Sequence, residues 1–367
     1  MKRMIPILAL LGMLTAPLQA NAWTVSSGFT HGCHEEITWN AFHDFLYYLP
    51  PDGVPVSDGT IWRELAIFLL EESPIDIDPD SLDDADRFFL VSLIVGVRSP
   101  DTDGHSIINL GELRKLHSDP TDEGQYAHAL RGKGDDLAEG NAVAVEGLKT
   151  RIADLLRKAN DAISLPADEQ IILGRFYLDF YGEIDVEVWA PMYYIGQAAH
   201  ALQDSFSHTI RDDADGLRTI VHVMNYVDAI GSDFNEDVSG LAHSDSMDDC
   251  LDAATTDTFA AAIEATIDLF YIARAVWTNT EPDAVQNLFD KWFLFREGCD
   301  ADNDYCDNGR WLEQTQKHQT KAYFKQIIDC RQGGGPLKSA GWALLVLCAL
   351  AGAARISRRR REGTRSP

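Results

Sequence analysis

Apolar residues recur along most of this chain at three- and four-residue spacing, the period of a helix with one buried side. In "THGCHEEITWNAFHDFLYYL" (30–49) they fall at Ile37, Ala41, Phe42, Phe45, Leu46 and Leu49. The same period runs through 61–72, 82–96, 142–163, 166–183, about 186–210, 258–279 and 284–298, with a last helix at about 308–328. No series of period-2 strands with turn signals stands out. The pattern therefore predicts an all-α fold, a single large helical domain over 23–332. Two long polar loops, 98–136 and 232–250, interrupt it. Long loops inside compact domains are often functional.

The two ends do not follow the pattern of the body. Lys2 and Arg3, the apolar stretch "MIPILALLGMLTAPL" and then Ala20-Asn21-Ala22 have the order of a secretory leader with an A-x-A cleavage site, giving a signal peptide over 1–22. Cleavage there leaves Trp23 with a free α-amino group. At the other end, 333–367 joins a Gly-rich spacer to the apolar run Ala340–Ala354 and a cluster of arginines. A full membrane span takes roughly 20 residues, so this one is short, and the arginines would stay on the cytoplasmic side. The order resembles the Gly-Gly sorting tails cut by rhomboid-type proteases in Gram-negative bacteria. The plainer reading is a C-terminal anchor helix. Both predict a body exported to the periplasm, the cell surface or the medium.

Charge and cysteines follow from that division. Net charge is −27, and losing the nine basic residues and one acid of the two ends takes it to −35. Such a surface repels bare phosphate backbones unless metal ions neutralise the site. Outside the tail the cysteines are Cys33, Cys250, Cys299, Cys306 and Cys330. In an oxidising compartment they are expected to pair. Cys299 and Cys306 flank "DADNDY" and are placed to close a short loop. Its alternating acids look like the start of a calcium loop, but Tyr305 and Trp311 stand where that loop needs Gly and an acid.

The candidate chemistry lies in "YYIGQAAHALQDSFSHTIR" (193–211). His200, Asp204 and His208 are spaced by four, which stacks them on one side of a helix. Their surroundings are apolar. Burying a carboxylate and two imidazoles costs several kcal/mol each unless they are paired or bound to metal. A hydrogen-bonded His–Asp–His row or an exposed stripe are the alternatives to a metal site. Further candidates are His34, Asp101, His105, His117, His128 and His222, the last followed by Asn225, Tyr226 and Asp228.

Taken in order, these residues resemble the zinc-dependent phospholipase C / S1–P1 nuclease superfamily. The residues that carry the likeness are Trp23 as mature N-terminus, His34 in "HEEITWNA", "Gly96-Val-Arg-Ser-Pro-Asp101", a loop histidine, "Tyr194-Ile-Gly-Gln-Ala-Ala-His200-Ala-Leu-Gln-Asp204", His208 and His222. The likeness spans Trp23 to about Asp228. It implies a secreted all-helical hydrolase with up to three zinc ions. His200, Asp204 and the loop histidine would hold one, His208 and His222 a second, and Trp23, His34 and a bridging Asp204 a third. Asp101 would be the catalytic residue and a further metal contact. The loop histidine is His128 or His117, and His31 is an alternative to His34. Two departures stand out. His208 follows Asp204 by four residues, where bacterial phospholipases C of this type usually have six, and the closer spacing resembles the more divergent eukaryotic glycosylphosphatidylinositol-hydrolysing branch. The usual acid four residues after the last histidine is Tyr226, leaving Asn225, Asp228 or a water to replace it.

The expected activity is therefore phospholipase C-type hydrolysis of phospholipid head groups at a membrane surface. The alternatives are a nuclease or nucleotidase of the same superfamily, with nucleic acid disfavoured by charge, and a non-catalytic surface protein that binds metal or acts as an adhesin.

Overall fold

The computed structural model describes residues 32–45, 83–106, 109–135, 137–178, 182–230, 234–243, 247–251, 255–278 and 283–307. The expected leader, Trp23, His31, the helices at 61–72 and 308–328, and the C-terminal tail lie outside them. Among the described residues no helix is long and apolar enough to cross a membrane.

Two buried helices organise the fold. Helix α2 (Asp84–Thr102) starts at Asp83, whose side chain caps the Asp86 N–H, and is buried from Phe88 to Arg98. It runs past the expected end at 96 and takes Pro100 and Asp101 into its last turns. Helix α6 (Ala190–Ser207) begins with Pro191 in its first turn and is buried over most of its length. A helix that is apolar all round belongs inside. The two touch at glycines: a Cβ on Gly96 would lie 2.2 Å from the Tyr193 carbonyl oxygen, and one on Gly196 would lie 2.3 Å from that of Leu93. Only glycine permits backbones to approach so closely. That approach brings Asp101, five residues after Gly96, beside His200 and Asp204, four and eight residues after Gly196.

Against this pair pack α1 (Cys33–Phe45), α3 (Leu110–His117), α4 (Asp122–Ala127) and α5 (Leu137–Ile163), with α7 (Glu236–Ser239) lying on α5; α8 (Thr256–Thr278) also meets the pair and carries α9 (Ala284–Trp292). Helix α1 is tied to α2 by the buried pair Glu35–Arg98, with Arg98 Nη1 3.4 Å from Oε1 and its guanidinium over the Phe176 ring.

The all-α expectation is corrected by two small sheets. Residues 166–183, read as a helix, form a 3₁₀ turn followed by strand β1 (Ile171–Leu178), which pairs antiparallel with β2 (Gly182–Trp189). The physical reason is in the residues. "EIDVEVW" alternates acids outside with Val186 and Val188 inside, and Gly182 supplies φ +87° at the turn. The hairpin packs on α2, where Ser92 Oγ accepts the Trp189 N–H at 2.8 Å. The second sheet has the order β3 (Thr209–Arg211), β4 (Thr219–Val223) and β5 (Leu294–Phe295), with β3–β4 antiparallel and β4–β5 parallel. The helix expected over 186–210 is thus a strand, an 18-residue helix and the start of another strand. Buried Arg211 holds this sheet to the core, donating to the carbonyls of Ser205, Leu217 and Trp292.

Two disulfides form among the described residues. Cys299–Cys306 makes the short loop expected from their spacing, and Cys33–Cys250 joins α1 to the 247–251 segment across 217 positions. A cross-link of that span removes about 5 kcal/mol of unfolded-chain entropy.

The glycine contact makes a direct prediction. Gly196→Ala should lower stability by ~1–3 kcal/mol through overpacking, read from the urea midpoint, and should weaken metal retention by separating Asp101 from His200. Gly111→Ala, whose Cβ meets nothing closer than 3.9 Å, is the control and should leave both unchanged or raise stability.

Candidate metal centre

Each functional side chain is placed by a short piece of local structure. His34 lies on the α1 stripe that also buries Ile37, Thr38, Ala41 and Phe42. Asp101 comes from the last turns of α2, His117 ends α3, and His128 is the C-cap of α4. His200 and Asp204 lie one turn apart on α6, and His208 is its C-cap. Helix α6 ends at Ser207, yet the His208 N–H still bonds the Asp204 carbonyl and its Nδ1 lies 3.8 Å from Asp204 Oδ2, so the row His200–Asp204–His208 is kept. All seven are buried.

Four of them converge on one point: Asp101, His128, His200 and Asp204. His200 Nε2 lies 3.0 Å from Asp204 Oδ2, 3.3 Å from His128 Nδ1 and 3.7 Å from Asp101 Oδ1. His128 Nδ1 lies 3.3 Å from Asp204 Oδ2 and 3.6 Å from Asp101 Oδ1. Donors bound tetrahedrally at ~2.0–2.1 Å stand about 3.3 Å apart, so the set has the dimensions of a small divalent cation site. His34 Nε2 approaches from the other side, 3.1 Å from Asp204 Oδ1 and 3.8 Å from Asp101 Oδ2. Those two buried carboxylate oxygens receive no hydrogen bond among the described residues. His117 Nε2 lies 3.0 Å from Asp101 Oδ1, and its ring stacks on His128 at 4.5 Å. Both loop histidines thus reach the group, with His128 inside it and His117 behind Asp101.

The ring tautomers are fixed from behind. Gln203 Nε2 donates to Thr38 and Thr266, so its Oε1 faces His34 and accepts the Nδ1–H at 2.7 Å. His200 Nδ1–H donates to the Val97 carbonyl, His117 Nδ1–H to that of Leu113, and His208 Nδ1–H to that of His128. In each ring the remaining nitrogen then points its lone pair at a carboxylate. Two electron-rich atoms at about 3 Å require a proton or a cation between them. Backing of this kind is the usual partner of metal-bound imidazole.

Without a metal, protons fill that role. Burial depresses the His34 and His208 rings, but Asp204, joined by Asp101 or Asp248, outweighs it and lifts each to about 9. His117 is raised by Asp101 against the effect of burial. Burial, then the neighbouring His117, pushes His128 down to about 4. Burial would raise both acids, yet the imidazoles hold Asp101 at about 2 and Asp204 well below the usual range.

A second group stands beside the first, made of His208, His243 and Asp248. His208 Nε2 is 3.2 Å from Asp248 Oδ1 and His243 Nε2 is 3.1 Å from Asp248 Oδ2. Two buried His/Asp groups can therefore hold metal ions. His243 and Asp248 escaped the sequence reading. The signal available was their place in the long polar loop 232–250, next to Cys250.

The structure does not bring His222 to either group. It lies on β4, where Nε2 accepts the Leu241 N–H at 3.1 Å and Nδ1 lies 3.2 Å from the Asn141 amide. Burial and the Arg131 charge hold the ring neutral down to about 3. Asn225 exchanges backbone hydrogen bonds with Leu241 and His243. His222 and Asn225 thus position the segment that presents His243, and Asp228 binds Asn225 and the Gly134 N–H. Tyr226, where an acid was expected, packs its ring against His117 and His243. His105 pairs with Glu183 at the hairpin.

Searches against known protein families, curated proteins and solved structures find no match to this chain.

The proton-for-metal exchange is testable through pH. For a histidine lifted from 6.5 to about 9, the stabilising contribution is complete below pH ~6.5 and is lost as pH rises through ~9. The metal-stripped protein should therefore lose thermal stability between pH 6.5 and 9.5. The metal-loaded protein should not, because the ion replaces the protons. Parallel melting curves with and without chelator check this. Equal slopes would contradict it.

Proposed function

We propose that the protein is a metal-dependent phosphoric-diester hydrolase of the zinc phospholipase C type, acting on phospholipid. The observation that carries this reading is the four-donor group of Asp101, His128, His200 and Asp204 with His34 and His117 directed at its carboxylates. Neutral imidazole and ionised carboxylate at these spacings suit zinc. The residue order of the zinc phospholipase C / S1–P1 nuclease superfamily adds to the reading.

Asp101, His128, His200 and Asp204 would hold the ion, which would supply Lewis-acid polarisation of a phosphoryl oxygen and a more acidic water. The chain's own residues do the rest. Asp204 and Asp101 stay ionised and present oxygens to the centre. Asp101 Oδ2, which receives no hydrogen bond among the described residues, orients the attacking water. The rings of His34, His117 and His200 are locked in one tautomer by the carbonyls behind them, so their lone pairs stay directed inward. The acidic body disfavours polyanions, which points to zwitterionic or neutral-headed lipid over nucleic acid.

Two disulfides suit an exported protein, and we place it outside the cytoplasm of a Gram-negative bacterium, its C-terminal tail serving as transient anchor and substrate of a rhomboid-type protease.

Depth favours a second reading. The four donor side chains are at most 5% exposed, and structural metal sites are closed where catalytic ones keep an open position. On that reading the chain is a non-catalytic, metal-holding surface protein.

Assays of the zinc-loaded chain on phosphatidylcholine and on single-stranded DNA separate the readings. Turnover of the lipid, lowered at least ~100-fold by Asp204→Asn with parallel loss of zinc, is the expected result. Turnover of DNA alone would indicate a nuclease. Zinc retention with no turnover of either would indicate the closed structural site.

A further inference from the structure

The rings of the centre are not all held in the same way. His200, His117 and His208 are backed by the carbonyls of Val97, Leu113 and His128, and a carbonyl can only accept. His34 is backed by the Gln203 side chain, its Nδ1 lying 2.7 Å from Oε1. A primary amide has an acceptor on one side and donors on the other, so turning it over reverses its demand on the ring. The groups on the far side of Gln203 therefore decide the matter. Thr38 Oγ1 of α1 lies 2.9 Å from Gln203 Nε2, and Thr266 Oγ1 of α8 lies 3.4 Å from it. A hydroxyl can give or accept, so Thr38 suits either orientation of the amide. Thr266 does not. Its proton is committed to the Ala262 carbonyl one turn back in α8, at 2.7 Å, which leaves lone pairs toward Gln203. The longer of the two contacts is thus the one that selects the orientation. Gln203, Thr38 and Thr266 are all fully buried, where two opposed acceptors are costly.

We infer, on the reading of the centre as a metal site, that Thr266 and Gln203 are positioning residues for His34. Thr266 fixes which side the Gln203 amide turns to the ring, the amide fixes the ring proton on Nδ1, and Nε2 is left as a metal donor directed at Asp101 and Asp204. Nε2 lies 3.1 Å from Asp204 Oδ1 and 3.8 Å from Asp101 Oδ2. With the amide reversed, its N–H would take the Nδ1 lone pair. The ring proton would then sit on Nε2 and donate to Asp204, in the place of a cation. Thr266 lies past Asp228, where the likeness to zinc hydrolases ends. Helix α8 thus reaches the centre through a contact that none of the motif residues contains.

Zinc affinity, measured by competition with a chromogenic chelator, tests this without any substrate. Thr266→Val keeps the shape and removes the lone pairs, and should weaken zinc binding by ~10-fold. Gln203→Met should weaken it by ~10–100-fold. Thr266→Ser should restore the wild-type affinity, because its hydroxyl makes the same two bonds. Gln203→Glu presents an oxygen on both sides, so an acceptor faces His34 whichever way the group turns. Adding Thr266→Val to Gln203→Glu should therefore cost nothing further, whereas a packing role for Thr266 would make the valine equally harmful in both backgrounds. The ring ¹⁵N spectrum of the zinc-loaded wild type should place the His34 proton on Nδ1. Zinc held as tightly by Thr266→Val as by the wild type would overturn the inference. So would an equal loss in the Gln203→Glu background, or a His34 proton on Nε2. A wild-type chain that binds no zinc would overturn the metal reading, and the inference with it.

Discussion

Asp204 is a carboxylate with no access to water, and the centre is arranged around that fact. A buried anion persists only where protons or cations balance it. Here His34 faces one oxygen at 3.1 Å, while His200 and His128 face the other at 3.0 and 3.3 Å. Each of those imidazoles comes from a different element, so the charge of one side chain draws α1, α4 and α6 together. Asp101 repeats the arrangement from α2 with His117. Metal and protons are interchangeable ways of meeting the same electrostatic requirement. That is why one geometry accounts for two imidazoles lifted to about 9 without metal and for donor spacings of cation-site size.

The glycine contact between α2 and α6 makes this possible. Two acids on neighbouring helices repel unless the gap between them is narrow enough for shared imidazoles to span. Gly96 and Gly196 provide that narrowness at the backbone, where no side chain can shift to relax it. The glycines that mark the motifs "Gly96…Asp101" and "Gly196…His200…Asp204" are thus packing residues. They act on the centre through distance rather than through chemistry.

The helices and the heart of the centre were legible because both depend on local spacing. Period 3.6 exposed α1, α2, α6 and α8, and four-residue spacing exposed His200 and Asp204. The hairpin over 171–189 was missed because its apolar residues, read as a continuous run, fit a helix as well as a strand. Only the alternation in "EIDVEVW" separates the two. His243 and Asp248 were missed for another reason. They meet His208 where the 240–243 segment, bonded to β4, and the 247–251 segment, joined to α1 through Cys250, come together, and neither long-range link is written in spacing. His222 was assigned as a ligand because histidine in that order suggested it. The structure uses its Nε2 to hold Leu241 instead.

The central claim is that Asp101, His128, His200 and Asp204 surround a metal ion. Anomalous diffraction at the zinc edge from crystals of the zinc-loaded protein locates such an ion without reference to activity. The account predicts a strong peak within about 2.0–2.2 Å of His128 Nδ1, His200 Nε2 and an oxygen of each aspartate. No peak between those four residues, or a principal peak at His222, would contradict it.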